Sequence, residues 1–117
     1  MEELRVQLQG EVLIAHFRCE KLFDDVLIIQ IGYELLELVE QPGTKLILDF
    51  EPVMFMSSAM MGKIVQLSKK CKANNCELRV CNITPGTMGV FEKRLLNKVF
   101  TICGSVQDAL NDLSQTS

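Results

Sequence analysis

Tryptophan is absent from this chain, and histidine and tyrosine occur once each. A lone histidine, His16, excludes any multi-histidine metal site. Basic residues are also scarce: 12 Lys and Arg stand against 15 Asp and Glu, for a net charge of −3. A phosphate-backbone binder needs a basic face, so nucleic acid is not an expected partner. No apolar run approaches the ~20 residues that span a bilayer. The N-terminus, Met1-Glu2-Glu3-Leu4-Arg5, is acidic and is followed by no uninterrupted apolar stretch. It does not read as a signal peptide, and no membrane insertion is expected. There is no G-x-G-x-x-G after a strand and no Walker A loop. His16 lies between Ala15 and Phe17 in a strand-like run, and no spacing pairs it with a Ser or Cys. It reads as a structural or half-exposed strand residue. The chain is therefore expected to be no enzyme, to have no catalytic residues and to need no cofactor.

The five cysteines, Cys19, Cys71, Cys76, Cys81 and Cys103, are odd in number. With no leader, they read as free and mostly buried thiols in a reducing cytoplasm. Cys71, Cys76 and Cys81 are spaced five apart and invite a metal reading. An odd separation along one strand points Cys76 and Cys81 to opposite faces. Only Cys71 and Cys76 can converge, and two thiolates make no structural zinc site. No metal and no disulfide are expected.

What is present is an ordinary core. Of 117 residues, 48% are hydrophobic and 23% charged, close to globular averages, which excludes disorder for the bulk of the chain. A chain this long hides roughly two-thirds of its unfolded surface. It reads as one domain over 1–117, with a polar tail at 114–117. Leu4, Val6 and Leu8 alternate with Arg5, Gln7 and Gln9, the pattern of a half-buried strand. Gly10-Glu11 then separates it from a second strand, Val12 to Phe17, so a hairpin is expected. Asp24 or Asp25 can cap a helix through Glu40, with Ile28, Gly32, Leu35 and Val39 on one stripe and Leu36 beside it. Pro42-Gly43 ends it. Lys45 to Phe50 (KLILDF) is a dense apolar run and reads as the central strand. Ser57 or Ser58 caps the next helix, whose stripe is Met60, Ile64, Leu67 and Cys71. A strand is expected at Glu77–Ile83, and a helix after Thr84-Pro85 with Met88, Phe91 and Leu95 inward. Val99 to Cys103 reads as a strand, and a helix from Ser105 turns Ala109, Leu110 and Leu113 inward. This order predicts an α/β fold: a mixed, mostly parallel sheet with an N-terminal β-hairpin and helices mainly on one face.

Val53 to Gly62 (VMFMSSAMMG) stands apart. It holds four of the six methionines, Met54, Met56, Met60 and Met61, around two serines at a helix start. Methionines can simply fill core gaps, and that reading covers Met56 and Met60, with Met54 a further candidate. Methionine surfaces also suit adaptable partner binding. A serine at a helix N-terminus is a favourable place for phosphate, because free N–H groups and the helix dipole attract anions.

The order of elements and the segment LILDFEPVMFMSSAMMG resemble the STAS domain, and more narrowly the bacterial anti-sigma factor antagonists. Their hallmark is a strand ending in an acidic residue, a short loop, then Phe/Tyr-Met/Ile-Asp-Ser-Ser/Thr/Ala-Gly-Leu-Gly. Phe55-Met56-Ser57-Ser58-Ala59-Met60-Met61-Gly62 occupies that motif. The resemblance continues through Cys81-Asn82-Ile83-Thr84-Pro85, Val90-Phe91, Lys98-Val99-Phe100 and Ser105 with Ala109-Leu110, from Leu4 to Leu113. It implies a STAS-like single domain that binds a serine-kinase anti-sigma factor in a partner-switching circuit. The family's phosphoacceptor maps to Ser58, with Ser57 the alternative, and the contact surface to Met56, Ser57, Ser58, Met60 and Met61. The chain departs from the pattern at Ser57, where the family has aspartate, and at Met60, where it has glycine. Cys19 to Asp24 also replaces a frequent Gly-x-Leu-Asp. The alternative is a constitutive STAS interaction module, in a signalling scaffold or as a transporter accessory, with no phosphorylation. The residues leave open homo-oligomerisation and a small-molecule or lipid ligand.

Overall fold

The computed structural model describes residues 4–93 and 100–115. The elements run β1 (Leu4–Gln9), β2 (Val12–Phe17), β3 (Lys21–Leu22), α1 (Asp25–Leu38), β4 (Lys45–Asp49), β5 (Phe55–Met56), α2 (Ser58–Ala73), β6 (Glu77–Cys81), α3 (Pro85–Lys93), β7 (Thr101–Cys103) and α4 (Val106–Ser114). Five strands form one sheet in the order β1-β2-β4-β6-β7. Only β1 and β2 are antiparallel, joined by the two-residue turn at Gly10-Glu11, where Gly10 has φ +63°. Glycine takes that left-handed conformation without steric cost. The other pairings, β2 with β4, β4 with β6 and β6 with β7, are parallel. The run KLILDF thus supplies the middle strand, and Leu46, Ile47, Leu48 and Phe50 are fully buried.

The helices divide unequally. One face of the sheet carries the large core, in which Ile28, Ile31 and Leu35 of α1, Met60, Ile64 and Leu67 of α2 and Phe91 of α3 pack on Ala15, Phe17, Leu46, Leu48 and Val80. Among the described residues the opposite face carries only α4, whose Ala109 and Leu113 pack on Val12, Ile14, Ile47 and Cys81. Strand parity explains the split, since alternate residues of β2 and β4 go to opposite cores.

Several boundaries differ from the sequence reading. Helix α1 stops at Leu38, and Val39 takes the C-cap position, short of the expected Glu40. Strand β6 stops at Cys81 because Asn82 adopts φ +57°, a conformation asparagine tolerates but a strand cannot continue through. Of the β1 stripe only Leu4 is buried; Val6 and Leu8 are exposed, because this edge strand runs out from under the helices. The expected Leu95 and the start of a strand at Val99 lie outside the described residues. The short parallel sheet of β3 and β5 was not foreseen; two-residue strands leave no periodicity to read.

Candidate functional site

The segment between β4 and α2 lies at the C-terminal ends of the parallel strands. It is stitched to its surroundings through its backbone. The N–H groups of Met54 and Phe55 donate to the Glu20 carbonyl at 2.8 and 3.1 Å, and the Ser57 N–H donates to the Leu22 carbonyl at 3.1 Å. The Val53 carbonyl accepts from the hydroxyls of Thr84 (3.0 Å) and Thr87 (3.3 Å). Both sides of the loop are thus anchored, which fixes the start of α2.

Ser57 is the N-cap. Its backbone is extended, and its Oγ accepts the Met60 N–H at 3.3 Å. Ser58 is therefore the first helical residue, and its side chain is exposed. Its hydroxyl has no protein hydrogen-bond partner among the described residues. The N–H groups of Ser58 and Ala59 also have no carbonyl one turn back, as at any helix start.

The methionines divide differently from the expected contact surface. Met60 and Met61 are fully buried and Met56 is nearly so, so their side chains cannot meet a partner. They fill the core because α2 turns its 60, 61, 64 and 67 positions inward. The surface at the loop consists of the half-exposed Met54 and Phe55 with exposed Ser58 and Ala59. Phe23, at the end of the β3 segment, joins them, its ring centroid 6.3 Å from that of Phe55. Phe23 and Phe55 were missed because their outward direction depends on the β3–β5 pairing.

On the α4 side of the same strand ends lies a polar row read directly from the register: Arg5 beside His16, His16 beside Asp49, Asp49 beside Cys81 and Cys81 beside Cys103. His16 Nδ1 lies 2.7 Å from Asp49 Oδ2, and its Nε2 lies 3.1 Å from Gln7 Oε1. Asp49 is buried, and its other oxygen accepts from Asn82 Nδ2 at 2.9 Å and from the Glu51 N–H at 3.0 Å. His16 is a half-buried strand residue held by this network. A cleft of about 360 Å³ opens beside it, lined by Arg5, His16, Phe17, Arg18, Asp49, Glu51 and Pro52.

None of the five cysteines is joined in a disulfide. Cys76 lies in the large core and Cys81 in the small one, the opposite faces that their odd spacing requires. Burial pushes the Cys71 thiol up to about 11, with the nearby Cys76 and Glu77 adding to it. Burial pushes Cys81 up to about 12, with Asp49 adding to it. Among the described residues no three His, Cys, Asp or Glu side chains group as metal ligands. No helix among them is long and apolar enough to cross a membrane.

The chain belongs to the STAS domain family, whose model matches residues 5–109. Its fold is similar to that of an anti-sigma-factor antagonist (STAS) domain protein from Planctomyces limnophilus, at 21% identity, TM-score 0.85, covering 96% of this chain and 98% of that one. It is also similar to SpoIIAA. The unphosphorylated form matches at 18% identity and TM-score 0.79, covering 95% and 96%. The phosphorylated form, described as a Bacillus cell fate determinant, matches at 18% and 0.72, covering 94% and 98%. A sulfate transporter family protein from Wolinella succinogenes shares the fold at 12% identity and TM-score 0.70, covering 90% and 86%.

Proposed function

We propose that this STAS domain is a regulatory binding module of the anti-sigma factor antagonist kind, without catalysis of its own, working in a reducing cytoplasm. Unphosphorylated, it binds a serine-kinase anti-sigma factor through the start of α2 and so releases a sigma factor. Phosphorylated on Ser58, it is rejected. The observation that carries this reading is the division of roles between the two serines. Ser57 holds the helix cap, so the Ser58 hydroxyl is exposed and free to react. In the transfer, the Ser58 Oγ forms a bond to the γ-phosphorus of ATP, the bond to the ADP oxygen breaks and ADP leaves, and the hydroxyl proton passes to a base of the kinase. The kinase brings ATP and Mg²⁺. A phosphate there carries about −1.5 to −2 charges. It meets the free N–H groups and the positive end of a 16-residue helix, so α2 tolerates it. The change falls on the partner, which must approach a charge beside Met54, Phe55 and Phe23.

The test is phosphorylation of the purified protein by the serine kinase, with the phosphosite mapped, and titration of that kinase with wild type, Ser58→Ala and Ser58→Asp. The switch requires phosphate on Ser58 and at least tenfold weaker binding by the Asp variant, about 1.4 kcal/mol. Phosphate on Ser57 keeps the circuit and moves the acceptor by one residue. Equal affinity for all three proteins favours the second reading, a constitutive STAS module such as a transporter accessory. That reading draws its support from the shared fold of the sulfate transporter family protein and from the departures at Ser57 and Met60.

A further inference from the structure

Helix α1 is apolar on two sides. Its inner side, Ile28, Ile31 and Leu35, is buried in the large core. Its outer side repeats the pattern at Val26, Ile29 and Tyr33, which are 72%, 51% and 69% exposed. The core uses only the inner stripe, and contiguous exposed apolar surface with a polar rim marks an interaction site. The outer stripe borders a groove of about 200 Å³ between α1 and α2. The groove floor is Gly32, where an added Cβ would lie 2.9 Å from the Lys63 Cδ that overhangs it.

The charges around the stripe select its occupant. Residues 24–40 hold five acidic side chains and no basic one; Asp24 is taken up by the helix cap, Glu40 pairs with Lys70, and Lys63 reaches the groove from α2, which leaves Glu34 and Glu37 beside the stripe. Glu34 and Glu37 follow the stripe on the side away from α2, by helical spacing. A second copy of this chain is disfavoured, because α1 against α1 would set acid against acid. We infer that the outer face of α1 seats an amphipathic helix of the partner, with its apolar ridge on Val26, Ile29 and Tyr33 and a basic flank against Glu34 and Glu37. Helix-in-groove docking of this kind uses anchors at the spacing the stripe presents. Groove and acceptor share one helix: α2 begins at Ser58 and supplies Lys63 and Gln66 to the groove. The seat therefore adds a second, charge-selective contact to the kinase-binding surface, and it rests on the kinase reading of Ser58.

The experiment titrates the serine-kinase anti-sigma factor with four proteins: wild type, Tyr33→Lys, the double variant Glu34→Lys/Glu37→Lys, and Ser58→Asp. The α1 substitutions lie on the surface, and circular dichroism confirms that each variant is folded. Tyr33→Lys is expected to weaken binding at least tenfold, because hot-spot aromatics carry losses of this order. The double variant is expected to weaken it roughly tenfold and to flatten its salt dependence, as loss of attracting charge does. If both α1 variants bind like wild type while Ser58→Asp binds weakly, the seat is wrong and the acceptor reading stands. If the α1 variants weaken and Ser58→Asp does not, the seat stands and the switch fails. No binding by the wild-type protein overturns both.

Discussion

The Oγ of Ser57 accepts the Met60 N–H at 3.3 Å, and this one bond assigns different work to two adjacent serines. The first holds the helix; the second is left to the surface. Met60 serves both the cap, through its N–H, and the core, through its buried side chain.

Ser57→Ala removes the acceptor for an N-terminal N–H of α2 and should destabilise the protein by ~1 kcal/mol, the usual cost of losing a cap. Ser58→Ala touches no intramolecular bond and should stay within ~0.5 kcal/mol of wild type. Urea midpoints of the two variants, measured side by side, check this. A larger loss for Ser58→Ala than for Ser57→Ala would exchange the two roles.

Asp49 accepts three hydrogen bonds, from His16, Asn82 and the Glu51 backbone. Asp49→Ala leaves three donors facing a small apolar side chain in a buried place. A loss of roughly 2–4 kcal/mol is expected, in the range for breaking a buried polar network. Asp49→Asn should be milder, about 1 kcal/mol. Its Oδ1 still serves Asn82 and Glu51, and its NH₂ can donate to His16 Nδ1 once the ring proton moves to Nε2, where Gln7 Oε1 accepts it. Thermal unfolding of the pair tests the order; equal losses would mean that charge, not acceptor count, governs the site.

Much of this arrangement was legible in the residues. The alternation of strands and helices, the dense run at Leu46–Leu48 and the turn at Gly10-Glu11 report backbone periodicity and φ freedom, which are local properties. The Ser57/Ser58 pair announced a helix start for the same reason. Which serine caps was not legible, because both satisfy the spacing and only the extended backbone at Ser57 decides. The inward turn of Met61 was hidden because it depends on how α2 packs, and the outward turn of Phe55 and Phe23 because it depends on β3 meeting β5, whose partners are 34 residues apart. The Asp49 network was equally hidden: each partner comes from a different strand end, brought together by the parallel register.

Gly32 offers a mild probe of the groove. A glycine in a helix interior costs about 0.5–1 kcal/mol relative to alanine. The Cβ of Gly32→Ala would press on the Lys63 stem at 2.9 Å, and that flexible chain can swing outward. Stability should therefore hold or rise by up to ~0.5 kcal/mol while the floor of the groove rises. Kinase affinity should fall as stability does not. A loss of unfolding free energy above ~1 kcal/mol in urea titrations would mean that Lys63 is locked in place.

The buried thiols set an alkaline limit on the fold. Cys71 and Cys81 are raised in the folded state from 9.0 to about 11 and about 12, chiefly because burial disfavours the thiolate. Below pH 9 both thiols are protonated in folded and unfolded chains alike, so their contribution to stability is fully present. Above pH 9 the unfolded chain releases these protons while the folded one retains them. Stability then falls as pH rises, until the folded thiols themselves ionise near 11–12. The slope is at most about 1.4 kcal/mol per pH unit for each thiol, so the two together remove roughly 1–3 kcal/mol by pH 10. Urea unfolding at pH 8, 9 and 10 should show the decline, and the Cys71→Ala/Cys81→Ala protein should show a flatter one, even though its cavities lower stability at every pH. Identical slopes in the two proteins would shift the cause of alkaline unfolding away from these thiols. The same burial should slow alkylation of Cys71 and Cys81 at pH 8 relative to the partly exposed Cys19 and Cys103, which mass spectrometry of the native protein can follow site by site.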